Sequence, residues 1–316
     1  MNIKKIAAAL CGILLLTGCT KDEKPSVPDE LIVNNSSAET EESFFPVTVG
    51  GIELESAAER VVSLSPAVTE IIAELGFSDR LCGISVYCDY PEITTEAVGR
   101  TEAVSRTETV GSSENPDIEK IISLKPDAVF TLTGLSERDI YTLNAAGIAV
   151  PELSAPRSLE DYSGLYRDIA AAFYGRELTG SEKETEKAAL AGNSARSALE
   201  AAADVSLDSF VYVTGKLTLA GGNTFESAVL SLAGENLCDG EGYCEPLATG
   251  EISPKYIVAD SSLSETELRA SEELAAMLDG GAVPLFVTAR CFERPTARTA
   301  EVFAEIGGQL STYEAD

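Results

Sequence analysis

One stretch, RVVSLSPAVTEIIAELGFSDRLCGISVYCDYP at 60–91, restricts the fold more than any other part of the chain. It opens with a β-branched strand, and Ser65-Pro66 then stops the strand and supplies an N-cap and a first helical residue. Apolar residues recur at helical spacing up to Gly76, and a second apolar strand runs from Leu81 to Val86. The stretch therefore predicts a β-α-β unit that ends in a polar and aromatic loop. In open α/β sheets, ligands bind beyond the carboxyl ends of the strands.

Strand and helix signals alternate on both sides of a helical middle segment, which predicts two α/β lobes, at 45–157 and 206–316, and a helical segment at 158–205. In the first lobe, a hairpin around Gly50-Gly51 and the β-α-β unit are followed by helices and strands at 117–124, 128–132, 136–146 and 148–153. Asn115-Pro116 is expected to cap the first of these helices. In the second lobe, strands and helices are predicted at 210–213, 224–233, 256–259, 264–278, 283–288 and 296–310.

The middle segment carries a helical pattern over 158–203, with a predicted break at 178–180. After the break, Ser181 to Ala203 is rich in Ala, Glu and Lys. A continuous helix over these residues would span roughly 35 Å at about 1.5 Å per residue. That length matches the width of a small domain, so this helix is predicted to connect the lobes.

The composition excludes several functional classes. Asp and Glu number 52 against 23 Lys and Arg, so the formal net charge of −29 argues against a general nucleic-acid binder. The sequence has no His, which removes the commonest general base, the Ser-His-Asp and Cys-His arrangements and every imidazole metal site. We therefore predict a protein that is not an enzyme, without catalytic residues, metal ligands or a cofactor.

The N-terminus resembles a targeting segment. Residues 1–19 combine Lys4 and Lys5 with a short apolar run and end in Leu-Thr-Gly-Cys, which resembles a bacterial lipobox with Cys19 as the lipidated residue. An ordinary signal peptide with a chance Cys is the alternative. Residues 20–44 are polar and rich in Pro, Ser, Asn and Glu, which is typical of a disordered tether. The expected location is the outer face of the cell membrane, with a lipid anchor.

Five cysteines follow Cys19, and their role stays open. Cys82 and Cys88 are six residues apart, as are Cys238 and Cys244, so two disulfides are plausible in an exported protein, with Cys291 free. Each such bond would stabilise by only about 2 kcal/mol because the loop it closes is short. A thiolate metal site formed by Cys88, Cys244 and Cys291 is one alternative, and buried free thiols are another.

Several motifs, taken in this order, resemble those of one family. Besides the stretch at 60–91, they are NPDIEKIISLKPDAVFTL at 115–132, GRELTGSEKETEKA at 175–188, TLAGGNTFESAVLSLAGENL at 218–237 and CFERPTAR at 291–298. The chain resembles the substrate-binding lipoproteins of ABC importers for cobalamin, iron-siderophores and haem, and most of all the cobalamin-binding members. The resemblance implies two Rossmann-like α/β lobes joined by a long rigid α-helix, a periplasmic-binding-protein-like fold of the helical-backbone type, with the ligand in a cleft between the lobes.

The resemblance also implies ligand contacts. Tyr87 and Arg294 match an aromatic residue and an arginine of the family's cleft, and Tyr243 is a further candidate. Places that carry aromatic residues in cobalamin binders hold Leu132, Thr214 and Thr218 here, and Arg290 replaces an expected acidic residue. The cleft is thus predicted to be less aromatic and more basic than in cobalamin binders. Besides cobalamin, this leaves room for another corrinoid or for an anionic siderophore complex, and haem would need Tyr87 as its axial ligand.

The resemblance implies partners as well. One exposed glutamate on each lobe of the family docks onto arginine pockets of the permease, and these map to Glu119 and to Glu251, with Glu245 as the competing choice. The expected protein is a monomer that delivers a corrinoid to an ABC permease and ATPase complex. The alternatives are the same role for a ferric siderophore or haem, an extracellular enzyme on this scaffold, or an adhesin.

Overall fold

The computed structural model describes residues 44–89, 107–132, 134–176, 178–179, 185–246 and 252–313. The predicted signal segment with Cys19 lies outside these residues, as does nearly all of the predicted tether at 20–44. In the part of the chain that is described, no helix has both the length and the apolar character needed to cross a bilayer.

The first lobe starts with the predicted hairpin. Strands β1 (Val47–Val49) and β2 (Ile52–Leu54) pair antiparallel around Gly50-Gly51, whose positive φ angles suit glycine. The backbone of Glu152 lies so close to Gly50 that an added Cβ there would sit 2.6 Å from its nitrogen. The hairpin is therefore fixed against the rest of the lobe.

A parallel four-stranded sheet forms the centre of the first lobe. Its strands and the helices between them are β3 (Val61–Ser63), α1 (Pro66–Glu74), β4 (Leu81–Ile84), β5 (Glu108–Thr109), α2 (Ile118–Leu124), β6 (Ala128–Phe130) and α3 (Glu137–Ala145). The order is β5-β4-β3-β6, and β3 pairs with β4 in parallel, which confirms the predicted β-α-β unit. A short 3₁₀ turn at Ser78–Arg80 leads into β4.

Two predictions for the first lobe need correction. Asp117, not Asn115-Pro116, caps α2, because its side chain accepts a hydrogen bond from the backbone N–H of Lys120 at 3.0 Å. The predicted strand at 148–153 is reduced to isolated bridges of Ala149 to Ala128 and of Glu152 to Thr131.

The middle segment is a pair of helices. It consists of α4 (Leu159–Tyr174), a small hairpin of β7 (Leu178–Thr179) and β8 (Thr185–Glu186), and α5 (Lys187–Ala202). The prediction of one helix over Ser181 to Ala203 is wrong at Thr185 and Glu186, which form β8, and residues 181–184 lie outside the described residues. The 16 residues of α5 span about 24 Å. The helices approach closely where Gly192 meets the backbone carbonyl of Ser163.

The second lobe has a mixed sheet. Its elements are β9 (Asp208–Val213), β10 (Leu219–Ala220), α6 (Phe225–Leu230), β11 (Gly234–Asn236), β12 (Tyr243–Cys244), β13 (Tyr256–Asp260), α7 (Glu265–Leu268), α8 (Glu272–Asp279), β14 (Val283–Val287), α9 (Arg290–Glu293) and α10 (Glu301–Tyr313). The order is β12-β10-β9-β13-β14, with β11 also on β9. The predicted helix at 264–278 is two helices, and the last helix begins only after a 3₁₀ turn at Ala297–Ala300.

Helix α4 packs against both lobes and sets how they face each other. On the first-lobe side, Phe173 stacks on Phe77 with ring centroids 4.4 Å apart. On the second-lobe side, the buried Tyr162 stacks on Phe225 at 5.7 Å. These rings belong to, or pack against, one hydrophobic cluster that is continuous through both lobes. The two lobes that form the walls of the cleft therefore share one hydrophobic core.

Candidate ligand-binding cleft

A cleft of about 1220 Å³ opens between the lobes. The first lobe contributes the chain after β6 and residues 152–157, and α4 contributes its exposed side. The second lobe contributes the start of α6, Tyr243 and the stretch from Phe292 to Pro295. A ligand in this space would touch both lobes and the helix that both lobes pack against.

Carboxylates dominate the charge of the cleft. We call six of its described lining residues the cleft carboxylates: Glu152, Glu160, Asp161, Asp168, Glu226 and Glu293. Arg157 and Arg167 are the basic residues among the described lining, so six negative and two positive side chains give a formal charge of −4. Arg167 has acidic neighbours, since its guanidinium lies 3.9 Å from Glu160 and 3.9 Å from Asp168. Burial raises the pKa of Asp168.

Tyr243 lines the cleft, where the sequence predicted a ligand contact. Its hydroxyl donates to Glu226, with Oη to Oε1 at 2.9 Å, while the side chain is 59% exposed. Burial of the hydroxyl end, together with the charge of Glu226, raises the pKa of Tyr243 to about 12. The ring therefore offers an apolar face to a ligand while its hydroxyl is held.

Tyr87 follows the carboxyl end of β4 and is 62% exposed, but it is not among the residues that line the cleft. Of the three positions where cobalamin binders were expected to have aromatic residues, Leu132 lines the cleft. Thr214 and Thr218 instead hydrogen-bond each other, Oγ1 to Oγ1 at 2.7 Å, between β9 and β10.

Arg294 and Arg290 do not line the cleft; they bind carboxylates of the first lobe. The Arg294 guanidinium pairs with Asp89 and donates to Glu70 Oε1 at 3.1 Å and to the carbonyl of Tyr87 at 3.3 Å. Arg290 lies 3.4 Å from Asp89. The prediction of a more basic cleft is therefore wrong, because the arginines on which it rested are already paired and the lining is acidic.

Glu70 is fully buried and connects the lobes. Besides Arg294, it accepts a hydrogen bond from Thr296 Oγ1 at 3.0 Å. Burial raises the pKa of Glu70, although hydrogen bonds from Thr296 and Arg294 act in the opposite direction. The Arg294 guanidinium lowers the pKa of Asp89.

One turn along α1, Glu74 extends this contact. It accepts from the hydroxyl of Tyr166 and from the backbone N–H of Ala297, the latter at 3.3 Å. Burial raises the pKa values of both Glu74 and Tyr166. We call the set the inter-lobe bridge: Glu70, Glu74 and Asp89 with Tyr166, Arg290, Arg294 and Thr296. Sequence reasoning missed Glu70 and Glu74. Their spacing of four residues on α1 places them on one helix face, but their partners lie 92 residues further along the chain at Tyr166 and more than 200 residues further in the second lobe.

The five cysteines that the structure describes are free thiols. The predicted bond between Cys82 and Cys88 is not formed, and their sulfurs face different partners: Cys82 donates to the carbonyl of Val61, and Cys88 lies 3.2 Å from Thr69 Oγ1. Cys238 and Cys244 are also unbonded, although their thiols are neighbours.

The thiolate metal site finds no support in the described residues, where no group of three or more His, Cys, Asp or Glu is arranged to hold a metal ion. Cys291 is buried, and burial raises the pKa of its thiol to about 12, which keeps it protonated.

Of the three glutamates considered for docking, the structure describes Glu119 and Glu245. Glu119 is exposed in the first turn of α2, and Glu245 is exposed just after β12. Glu251 lies outside the described residues. Exposure is what a docking residue requires, and it does not by itself assign that role.

Two α/β lobes around a large cleft define a two-lobed ligand-binding protein, and comparison with known proteins specifies which kind. A family model described as periplasmic binding protein matches residues 61–267, and the chain belongs to this family. Members of this family bind ligands rather than transform them.

Curated relatives match over parts of their length. An uncharacterized ABC transporter substrate-binding lipoprotein, YvrC of Bacillus subtilis, is 28% identical over 193 residues, which cover 57% of this chain and 52% of the relative. The vitamin B12-binding protein of Yersinia pestis is 35% identical over 95 residues, 30% of each chain. The chain therefore spans about half the length of the first relative and under a third of the second.

Solved structures share the fold. The periplasmic vitamin B12-binding protein BtuF of Vibrio cholerae superimposes with a TM-score of 0.55 at 22% identity, covering 82% of this chain and 99% of that one. The haem-binding protein HutB of the same organism gives a TM-score of 0.59 at 15% identity, covering 79% and 98%. These structures confirm the predicted fold class, and the family model confirms the predicted family.

Proposed function

We propose that this protein is an extracytoplasmic substrate-binding lipoprotein that captures a corrinoid in the inter-lobe cleft and delivers it to an ABC permease and ATPase complex. The size of the cleft supports this proposal most directly. At about 1220 Å³ it exceeds the roughly 300–1,000 Å³ of ordinary small-molecule sites, so it suits a macrocycle better than a sugar or an amino acid. The name of the Yersinia relative points to the same ligand class.

The remaining parts of the proposal follow the family. Cys19 would carry the lipid and hold the protein, as a monomer, at the outer face of the cell membrane. Tyr243 would contact the ligand within the cleft. Tyr87, Arg290 and Arg294 would reach it only at the mouth, after their contacts between the lobes rearrange.

Titration of the full mature chain with cyanocobalamin, cobinamide, haem and ferric siderophores tests the function. A corrinoid is expected to raise the melting temperature and to change its own absorbance, because a ligand that binds only the folded state stabilises it. If only haem or a siderophore produces these changes, the protein transports that ligand class instead. If no ligand changes either signal, the proposed function is wrong.

Docking to the permease is tested by reversing one charge. Glu119→Lys is expected to reduce ligand uptake by cells about tenfold, because an arginine pocket would then face a cation, and to leave ligand affinity unchanged. Glu114→Lys is the matched control, since Glu114 is also exposed and lies in the loop before α2. Equal loss of uptake in both variants, or a loss of ligand affinity in Glu119→Lys, would contradict the assignment.

A further inference from the structure

The cleft carboxylates restrict the charge of the ligand. They come from every wall of the cleft: Glu152 from the first lobe, Asp161 and Asp168 among others from α4, and Glu226 and Glu293 from the second lobe. No single wall carries the negative charge, so a ligand cannot avoid it by binding to one side. A charged group in the cleft therefore meets carboxylates on every wall, with Arg157 and Arg167 as the cations of the described lining.

The rest of the chain does not reverse this potential. Acidic residues exceed basic ones by 52 to 23 over the whole sequence and by six to two in the cleft lining, so the cleft has the sign of the molecule. A site for a carboxylate-bearing ligand needs cations concentrated against that background. The described lining offers two cations, Arg157 and Arg167, and Arg167 lies 3.9 Å from both Glu160 and Asp168. Arg290 and Arg294 lie outside the lining and are held by Asp89 and Glu70.

The carboxylates also differ in how far protein cations compensate them. Glu160 lies 3.3 Å from Arg196 and 3.9 Å from Arg167, so it is partly neutralised. Within the described residues, no ion pair or hydrogen bond engages the exposed carboxylates of Glu152 and Glu293, which stand on opposite lobes. These two residues would act most strongly on a bound charge.

We propose that the cleft selects a cationic or neutral macrocycle with amide side chains and rejects macrocycles and chelates that carry free carboxylates. This inference rests on the proposed function, since it names the charge class of the ligand for the same cleft. Amide groups can donate hydrogen bonds to the cleft carboxylates, whereas ionised ligand carboxylates have no donor to offer and are repelled by them.

Two corrinoids with nearly the same ring allow the effect of ligand charge on affinity to be measured apart from the effect of ligand shape. Aquacobinamide is cationic and has amide side chains, and cobyrinic acid has carboxylates in their place. The full mature chain is expected to bind aquacobinamide at least about tenfold more tightly than cobyrinic acid at low salt. The ratio should shrink in about 1 M salt, where the Debye length falls to about 3 Å.

The double variant Glu152→Gln with Glu293→Gln assigns this preference to the cleft. It is expected to reduce the affinity ratio about fivefold, because it removes two charges while keeping the side-chain shape. Its control is Glu114→Gln with Glu272→Gln, two exposed carboxylates that lie on opposite lobes and do not line the cleft. This control has the same net charge and should change the ratio less than about twofold.

The outcomes distinguish the two proposals. Equal or tighter binding of cobyrinic acid, or equal effects of the two double variants, would overturn the charge selection while leaving corrinoid binding intact. Failure of both corrinoids and of cyanocobalamin to bind would overturn the proposed function itself. Melting curves of the variants without ligand show whether both remain folded.

Discussion

Two acidic regions lie between the lobes, and they differ in burial and pairing. In the inter-lobe bridge, Glu70 is fully buried, and Arg294 with 13% of its side chain exposed meets it. In the cleft, Glu152 and Glu293 are exposed, and no described residue pairs with their side chains. A buried charge needs a partner of opposite charge, because burial removes it from water. An exposed charge is solvated and remains accessible to a ligand. The difference indicates that the bridge holds the lobes together, and it supports the proposal that the ligand binds in the cleft.

The largest expected effect comes from breaking the bridge. Arg294→Met should lower the free energy of unfolding by up to about 3–5 kcal/mol, because it removes the guanidinium that is hydrogen-bonded to the buried Glu70. Arg298, whose guanidinium lies 3.8 Å from Glu70, would then be its nearest cation. Arg290→Met is the control, since Arg290 is 59% exposed and its exposed pair is worth under about 1 kcal/mol. Urea denaturation of both variants measures the difference. Similar losses in the two variants would mean that burial of Glu70 does not decide the stability of the bridge.

A smaller loss is expected from Tyr166→Phe. The buried hydroxyl of Tyr166 donates to the Glu74 carboxylate, so its removal deletes a hydrogen bond to a charged group and should cost about 1–3 kcal/mol. Tyr141→Phe serves as the control, because Tyr141 is 76% exposed on α3. If urea denaturation gives the same free energy for both variants, the hydrogen bond to Glu74 contributes nothing to stability.

The bridge also predicts how stability depends on pH. Burial raises the pKa values of Glu70 and Glu74 above their ordinary value of 4.5, so the folded state binds more protons than the unfolded state just above pH 4.5. Their contribution to stability is therefore greatest at low pH and is lost as the pH rises from 4.5 through the folded-state pKa values. Glu74→Gln should gain stability relative to the wild type over this interval. A difference between the two proteins that does not vary with pH would contradict the raised pKa of Glu74.

The smallest effect on stability is expected in the cleft. Tyr243→Ala should change the free energy of unfolding by less than about 0.5 kcal/mol, since the ring is 59% exposed. It should weaken corrinoid binding about tenfold, because the ligand loses an aromatic contact. Thermal melting and absorbance titration of the same samples test both expectations. A large loss of stability with unchanged affinity would place Tyr243 in the scaffold rather than in the site.

Local signals in the sequence determined a large part of this protein's secondary structure and fold. The strand, the Ser65-Pro66 helix start and Gly76 specify the β-α-β unit through neighbouring residues, and the structure has this unit at Val61–Ile84. The order of the motifs was sufficient to predict the family and the two lobes. Helix ends were less well predicted where pairing with another segment decides them, as at Thr185 and Glu186, which pair with β7 as a strand instead of continuing the expected helix.

Only the tertiary structure decided what the charged residues do. The sequence shows only that Arg294 is a cation. Its role depends on whether its partner is a ligand or Glu70, and Glu70 is 224 residues away along the chain. The energy of a charge depends on its burial and on its nearest partners, neither of which local sequence contains. The resemblance therefore predicted a cleft more basic than in cobalamin binders, and the structure has an acidic one. Short-range patterns thus specified the scaffold, and long-range contacts specified the electrostatics of its cleft.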